Sequence, residues 1–235
     1  MDNSEHISKQ YDVELESVRA RVLLMGDLVE RQVRLAIEAL IKSDLTTIDH
    51  IIADDHRVNA LEVGIDESCS HIIALRQPTA NDLRIVMMVI KTITDLERIG
   101  DEAKKIAITA KLLSQNKNLT LPRFEKIKYM ANLTLDMLLQ SLEAFAKLDI
   151  SAVAQVVRQD QQVDEEFVMI MRYLATFMME DPRTISNALE ILFVAKAIER
   201  IGDHAKNISE YVVYMVKGRD VRHSTVEEIE REVQR

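Results

Sequence analysis

The chain has 235 residues, carries a net charge of −9 and is 47% hydrophobic, which is enough apolar material for a substantial core. Only five glycines, three prolines and 4% aromatic residues are present, a balance that favours long helices over a sheet protein rich in turns. The acidity argues against a duplex-DNA binder, because such proteins need a basic face to displace counterions from phosphates.

Three helices are predicted in the first half of the chain. The first begins near Ser8, the second is capped by Asp44, and Pro78 separates the second from the third. The third helix ends in the polar stretch 114–118, where we place a domain boundary. Apolar residues at helical spacing predict the buried faces. They are Val18, Val22, Met25, Val29, Ala36, Leu40, Ile48, Ile51, Ile52, Val58, Ile85, Val86, Val89, Ile93, Leu96, Ala103, Ile106 and Ala110.

The pattern then repeats in the second half of the chain. The matched segments are Ala36–Leu45 with Ser141–Ile150, Asp55–Val58 with Asp160–Val163, and Leu96–Ala107 with Ile198–Ser209. Eight of the twelve positions in the last pair are identical. A tandem duplication explains these ordered matches, with Pro182 interrupting the second copy as Pro78 interrupts the first. We predict an all-α fold of two tandem three-helix bundles with antiparallel helices, at 8–115 and 120–217, followed by a charged tail at 219–235.

The same five residues, Glu-Arg-Ile-Gly-Asp, occur in the third helix of each copy. The carboxylates are Glu97 and Asp101 in the first copy and Glu199 and Asp203 in the second. Two carboxylates four residues apart on a helix repel each other, and the intervening Gly100 or Gly202 also disfavours a helix. Because the same local costs appear twice, we expect a tertiary or functional reason for them.

One reason is metal binding, since paired carboxylates offer oxygen ligands to a hard or borderline cation such as Mg, Mn, Fe or Zn. The motif lies at the edge of the apolar stripe, a position that suits a site at a seam between helices or on the surface of the bundle. Further ligands are expected from the second helix of each copy. These supporting candidates are Asp55, Asn59, Glu62, Asp160 and Asp164.

The alternative is structural pairing. Asp101 is spaced to pair with Lys105, and Arg98 and Arg200 can pair with acids on neighbouring helices. The six histidines do not pair at metal-binding spacing, so we expect them at surface or edge positions. No nucleophile motif, phosphate loop or Glu-x-x-His pair is present, so no catalytic residue is predicted.

Targeting signals and membrane spans are not predicted. The apolar runs 85–90 and 211–216 fall well short of the ~20 residues that cross a bilayer. The polar, acidic N-terminus has no signal-peptide core. We therefore expect a cytoplasmic protein that meets a membrane only through partners and binds no nucleic acid.

The segment 77–84 (Gln-Pro-Thr-Ala-Asn-Asp-Leu-Arg), the two Glu-Arg-Ile-Gly-Asp motifs and the closing segment 214–218 (Tyr-Met-Val-Lys-Gly) resemble the PhoU family. The similarity runs from about Ser8 to Gly218. It implies a negative regulator of the phosphate regulon that links the Pst phosphate transporter, through its ATPase PstB, to the sensor kinase PhoR. It also implies metal binding by the matching carboxylates, Glu97, Asp101, Glu199 and Asp203.

Two other functions compete with this adaptor. A metal-dependent enzyme or a simple metal-binding protein would use the duplicated carboxylates directly, whereas an adaptor needs only a helical surface. The absence of a catalytic constellation leads us to expect an adaptor and not an enzyme. A homodimer is the oligomeric state that we expect.

Overall fold

The computed structural model describes residues 9–42, 45–115 and 125–234, and within these ranges the regular structure is entirely helical. The helices are α1 (Lys9–Lys42), α2 (Leu45–Arg76), α3 (Ala80–Gln115), α4 (Glu125–Lys147), α5 (Val153–Glu180), α6 (Ile185–Lys217) and α7 (Val226–Gln234). A single 3₁₀ turn, Pro182–Thr184, joins α5 to α6. Both Pro78 and Pro182 therefore lie between helices, as the sequence predicts. Ser8 and Asp44, the predicted helix-start residues, lie outside the described residues.

Two three-helix bundles form the molecule. Helices α1, α2 and α3 pack on one another, and α4, α5 and α6 do the same. The apolar residues predicted to be buried in the first copy are buried, except that Ile52 and Ile85 are half-buried. The predicted all-α fold of two bundles is confirmed. The domain limits 8–115 and 120–217 stay predictions, because the expected linker falls within residues 116–124, outside the described residues.

The two bundles are joined along a seam between α3 and α6, the most extensive helix pair in the structure, with a smaller contact between α1 and α4. The two seam helices run antiparallel, since Asp95 contacts His204 whereas Glu102 contacts Arg200, nearer the start of α6. Buried apolar residues continue from one bundle into the other. The helices that carry the duplicated motif therefore also form the centre of the molecule.

The charged segment after residue 218 contains α7, which packs on α5. Val226 and Ile229 are buried, and Glu230 forms an ion pair with Arg158 of α5. This short helix is amphipathic, with its charged face toward solvent. None of the described helices is both long enough and apolar enough to cross a membrane.

Candidate functional site

The first carboxylate motif lies on α3 at its contact with α2. Glu97, Asp101 and the α2 residue Glu62 are half-buried, and among the described residues none of them has a lysine or arginine within 4 Å. Burial raises the pKa of Glu97, and the charges of Asp101, Glu62 and Asp55 raise it further. Burial likewise raises the pKa of Glu62. The contact between α2 and α3 therefore concentrates negative charge that no ion pair among the described residues balances.

A buried amide oxygen lies on the same stretch of α2. The side-chain oxygen of Asn59 has no hydrogen-bond partner among the described residues. Leaving a buried polar atom unsatisfied costs ~1–3 kcal/mol, so such an atom is expected to have a ligand or a structural reason. Asn59 lies between Asp55 and Glu62 in sequence, each one helical turn away. Its oxygen is of the type that hard cations accept.

The second motif, on α6, is balanced differently. Glu199 is paired with Lys196 at 2.5 Å, one turn earlier on the same helix. Burial raises the pKa of Asp203, Glu199 raises it further, and Lys206 and Lys196 oppose the shift. Thr94 occupies the position of Lys196 in the first copy. The two motifs are thus alike in sequence but differ in local charge.

Two of the supporting acids are already engaged by lysines. Asp55 is 1% exposed and accepts a hydrogen bond from Lys104 at 2.7 Å, and Asp160 accepts one from Lys206 in the second copy. Neither lysine was predicted as a partner from the sequence, although each follows the aspartate of its motif by three residues. That duplication was the signal that could have identified them. Asp164, by contrast, has no ion pair among the described residues, and burial raises its pKa.

The donor atoms suit a metal ion, but they are not gathered around one point. In the described ranges, no three histidine, cysteine, aspartate or glutamate side chains lie close enough together to hold a metal ion. The residues whose oxygens would hold it are those without an ion pair: Glu97, Asp101, Glu62 and Asn59 in the first copy, and Asp164 in the second. The four residues of the first copy lie on the adjoining helices α2 and α3. The metal site stays a prediction.

Packing explains the duplicated glycine in the first bundle but not in the second. A Cβ atom on Gly100 would meet the amide oxygen of Gln32 at 3.2 Å, closer than ordinary van der Waals contact. A Cβ atom on Gly202 would meet only Met137 and Val163, at ordinary distances of 3.6 Å or more. The glycine is therefore closely packed in the first copy and merely tolerated in the second.

The structural alternative is realised with different partners. Lys105 pairs with Glu102 at 3.0 Å and not with Asp101. Arg200 does pair with an acid of a neighbouring helix, since it reaches the same Glu102, on α3, at 3.0 Å. Ion pairing therefore joins the two bundles and leaves Asp101 unbalanced.

His204 does not lie at the surface or edge position that was expected of the histidines. It is buried at the seam, where its Nδ1 lies 2.6 Å from an oxygen of Asp95. His50, His56, His71 and His223 are exposed as expected, and His6 lies outside the described residues. A lone polar residue at helical spacing gives no sign of a partner 109 residues away in sequence. The prediction for His204 was wrong because this contact forms only in the tertiary structure.

Fold and motif together define a class of all-α proteins built from a duplicated three-helix unit with acidic seams. The PhoU domain family matches residues 22–110 and 127–212, one stretch for each bundle. The chain belongs to the PhoU family.

Individual relatives agree over nearly the whole length. The chain is 46% identical to the phosphate-specific transport system accessory protein PhoU of Serratia marcescens, over 97% of this chain and 93% of that protein. The crystal structure of PhoU from Pseudomonas aeruginosa is 42% identical with a TM-score of 0.86, over 89% of this chain and all of the other. The crystal structure of the phosphate transport system regulatory protein PhoU from Streptococcus pneumoniae is 30% identical with a TM-score of 0.82, over 90% of this chain and 99% of the other. These names describe accessory and regulatory proteins, in agreement with the expectation that the chain is not an enzyme.

Proposed function

We propose that the chain is a cytoplasmic regulatory adaptor of a phosphate-specific transport system. It contacts the transporter ATPase PstB and the sensor kinase PhoR, and it represses the phosphate regulon when phosphate is plentiful. The observation that carries this proposal is the 46% identity, over 97% of the chain, to a protein named as the accessory protein of that system. The long helices support it further, because they offer an extended surface to partners.

A deletion strain tests the regulatory role. Cells that lack the gene and grow in high phosphate should show high alkaline phosphatase activity, because a repressor of the regulon has been lost. Expression of the intact chain should restore low activity. Low activity in the deletion strain would contradict negative regulation.

Co-purification tests the partners separately. The tagged chain should recover PstB and PhoR from phosphate-replete cells, and the tag alone should recover neither. Sedimentation of the purified chain tests the proposed homodimer, for which the expected mass is twice 26.9 kDa. Recovery of neither partner would contradict the adaptor role even if the regulatory phenotype were present.

A second proposal is that the carboxylate motifs bind a divalent or trivalent metal. Its support is the charge of Glu97, Asp101 and Glu62, which no ion pair among the described residues balances, and the oxygen of Asn59, which has no hydrogen-bond partner among them. The cation would neutralise the repulsion between the carboxylates. Thermal unfolding with chelator, and then with Mg, Mn, Fe or Zn, should show stabilisation by at least one metal. Phosphatase and oxidase assays with the same metals test the enzymatic alternative, for which we expect no turnover.

A further inference from the structure

A cavity of about 540 Å³ lies at the end of the seam where α3 begins and α6 ends. It is formed by the first turns of α3, the last turns of α6 and the segment that follows α6. The segments 77–84 and 214–218, which the duplicated motif leaves unexplained, meet here. Their contact is direct, since the guanidinium of Arg84 lies 5.7 Å from the ring centroid of Tyr214.

The cavity is positively charged. Arg84 and Lys91 line it, and among the described residues neither has a carboxylate within 4 Å. The third cation, Arg222, is paired with Asp220 at 2.5 Å. Glu210 is buried at the same cavity, and burial raises its pKa to about 7, so its charge offsets the cations only in part. Two positive charges therefore remain available to a ligand.

The rest of the lining is apolar and aromatic. Leu83 and Met87 are 38% and 42% exposed, and Lys91 lies 5.5 Å from the ring centroid of Tyr211. Arg84 and Lys91 are seven residues apart on one helix, so their Cα atoms are separated by ~10.5 Å along its axis. The volume falls within the ~300–1,000 Å³ of ligand pockets. A fitting ligand is thus elongated, multiply anionic and partly apolar.

The opposite end of the seam shows that these cations are not a consequence of the fold. At the offset of 102 residues that relates the two motifs, Leu83, Met87 and Lys91 correspond to three residues of α6. Those residues are Ile185, Leu189 and Phe193, of which Phe193 is 63% exposed. The cations that line the cavity beside Phe193 are Lys105, Lys196 and Arg200, and each of them is paired with a glutamate. Among the described residues, cations without an ion pair therefore line the cavity at the start of α3 and not the one beside Phe193.

Gly218 leaves room for the arginine. Its φ of 71° is in the left-handed region, and a Cβ atom there would lie 1.9 Å from Nη1 of Arg84. A larger residue would therefore displace the guanidinium from its place over Tyr214. The glycine at the end of α6 therefore leaves the space that the guanidinium of Arg84 occupies.

We propose that this cavity binds a small organic phosphate of the nucleotide class. The phosphate groups contact Arg84 and Lys91, and the apolar part of the ligand packs against Leu83 and Met87. This site is distinct from the carboxylate motifs and does not depend on the proposed adaptor role. Nucleotide binding would allow a small molecule to regulate the proposed adaptor.

Isothermal titration calorimetry of the full chain with ATP, ADP and AMP tests the proposal. EDTA is present so that no nucleotide binds through a metal ion held by the carboxylate motifs. We expect saturable binding that strengthens with the number of phosphates. Arg84→Gln and Lys91→Gln should each weaken it about tenfold, because a hydrogen bond to a charged group contributes on that order. Lys111→Gln, which removes an exposed charge at the other end of α3, is the matched control and should bind as wild type.

Met87→Glu guards against a folding artefact, because it changes an exposed residue and places a negative charge at the cavity. It should abolish binding while the melting temperature stays near that of wild type. The proposal is overturned if no nucleotide binds at 1 mM, an order typical of weak specific ligands, or if the variants bind like the control. It is also overturned if inorganic phosphate or a hexaglutamate peptide binds as tightly as ATP, since the site would then be a simple anion or acidic-peptide site.

Discussion

Replacing Glu97 by Gln tests whether the first carboxylate motif is an uncompensated charge cluster. In metal-free buffer the change removes a like-charge i,i+4 contact with Asp101, which is destabilising by ~0.2–0.5 kcal/mol in a helix. It also relieves the repulsion from Glu62 on the neighbouring helix α2. We therefore expect the chelated protein to become more stable by roughly this amount. For a chain of this size, that free-energy change raises the melting temperature by ~1 °C.

The matched control is Glu199→Gln at the equivalent position of the second copy. Glu199 is already paired with Lys196 at 2.5 Å, so the ~0.3–0.5 kcal/mol lost with this ion pair offsets the ~0.2–0.5 kcal/mol gained by removing the repulsion from Asp203. The two substitutions are chemically identical, but only Glu97→Gln should raise stability, and Glu199→Gln should leave it nearly unchanged. A loss above ~0.5 kcal/mol on Glu97→Gln, which exceeds the range for such like-charge pairs, would show that Glu97 has a stabilising partner.

The pH dependence gives a second readout of the same substitution. Because the pKa of Glu97 is raised in the folded state, that state holds its proton to higher pH than the unfolded chain. The contribution is stabilising below the unfolded pKa of ~4.3 and is lost as pH rises through the folded pKa. Glu97→Gln should therefore flatten the decline in stability above pH ~4.3. An unchanged pH profile in calorimetry would refute the assigned shift.

Metal addition then distinguishes a metal-binding role of the carboxylates from a purely structural one. A metal at a hundredfold excess over its Kd stabilises the native state by ~2.7 kcal/mol. Glu97→Gln or Asp101→Asn should reduce that stabilisation, although each leaves the chelated protein at least as stable as wild type. If no metal stabilises wild type, the metal proposal fails and the adaptor proposal stands, because the latter needs only the helical surface.

Three further substitutions test packing and pairing. Gly202→Ala should stabilise the protein by up to ~1 kcal/mol, because alanine has the higher helix propensity. Gly100→Ala should stabilise it less, because the new Cβ atom would lie too close to the amide oxygen of Gln32. Urea denaturation of both variants measures the difference in stability. Asp55→Asn should cost ~3–5 kcal/mol, toward the lower end because the partner lysine is one-third exposed, and a cost below 1 kcal/mol would contradict the buried pair. Ile201→Ala, at a fully buried position, should cost ~2–5 kcal/mol, and a change below about 0.5 kcal/mol would mean that its site is not core.

Apolar spacing was sufficient to predict the helices and their buried faces. In a helix, residues three and four apart share a face, so a stripe such as Val22, Met25 and Val29 states which side is buried. It does not state which helix covers that side. The position of the carboxylates beside the stripe followed from the same geometry, but their location at a contact between helices, and not on the bundle surface, became clear only from the structure.

The candidate site was predictable only in its residue types. Asp55 and Asp160 were identified as acids on the second helices, but their lysine partners were not, because a pairing between helices depends on register. Glu97 is unpaired among the described residues, whereas Glu199 is paired with Lys196. This difference depends on one position, where the first copy has Thr94 and the second has Lys196. Its effect becomes visible once the neighbours on the helix are known.

By itself the sequence determined the helical class, the duplication, the buried stripes and the repeated carboxylate motif, all of which are local or self-similar patterns. The tertiary structure alone decided that α3 and α6 pack against each other, because periodicity encodes the buried face of a helix but not the helix that covers it. That pairing buries His204 against Asp95 and joins Glu102 to Arg200. It also brings the start of α3 and the end of α6, 130 residues apart at Arg84 and Tyr214, around one cationic cavity.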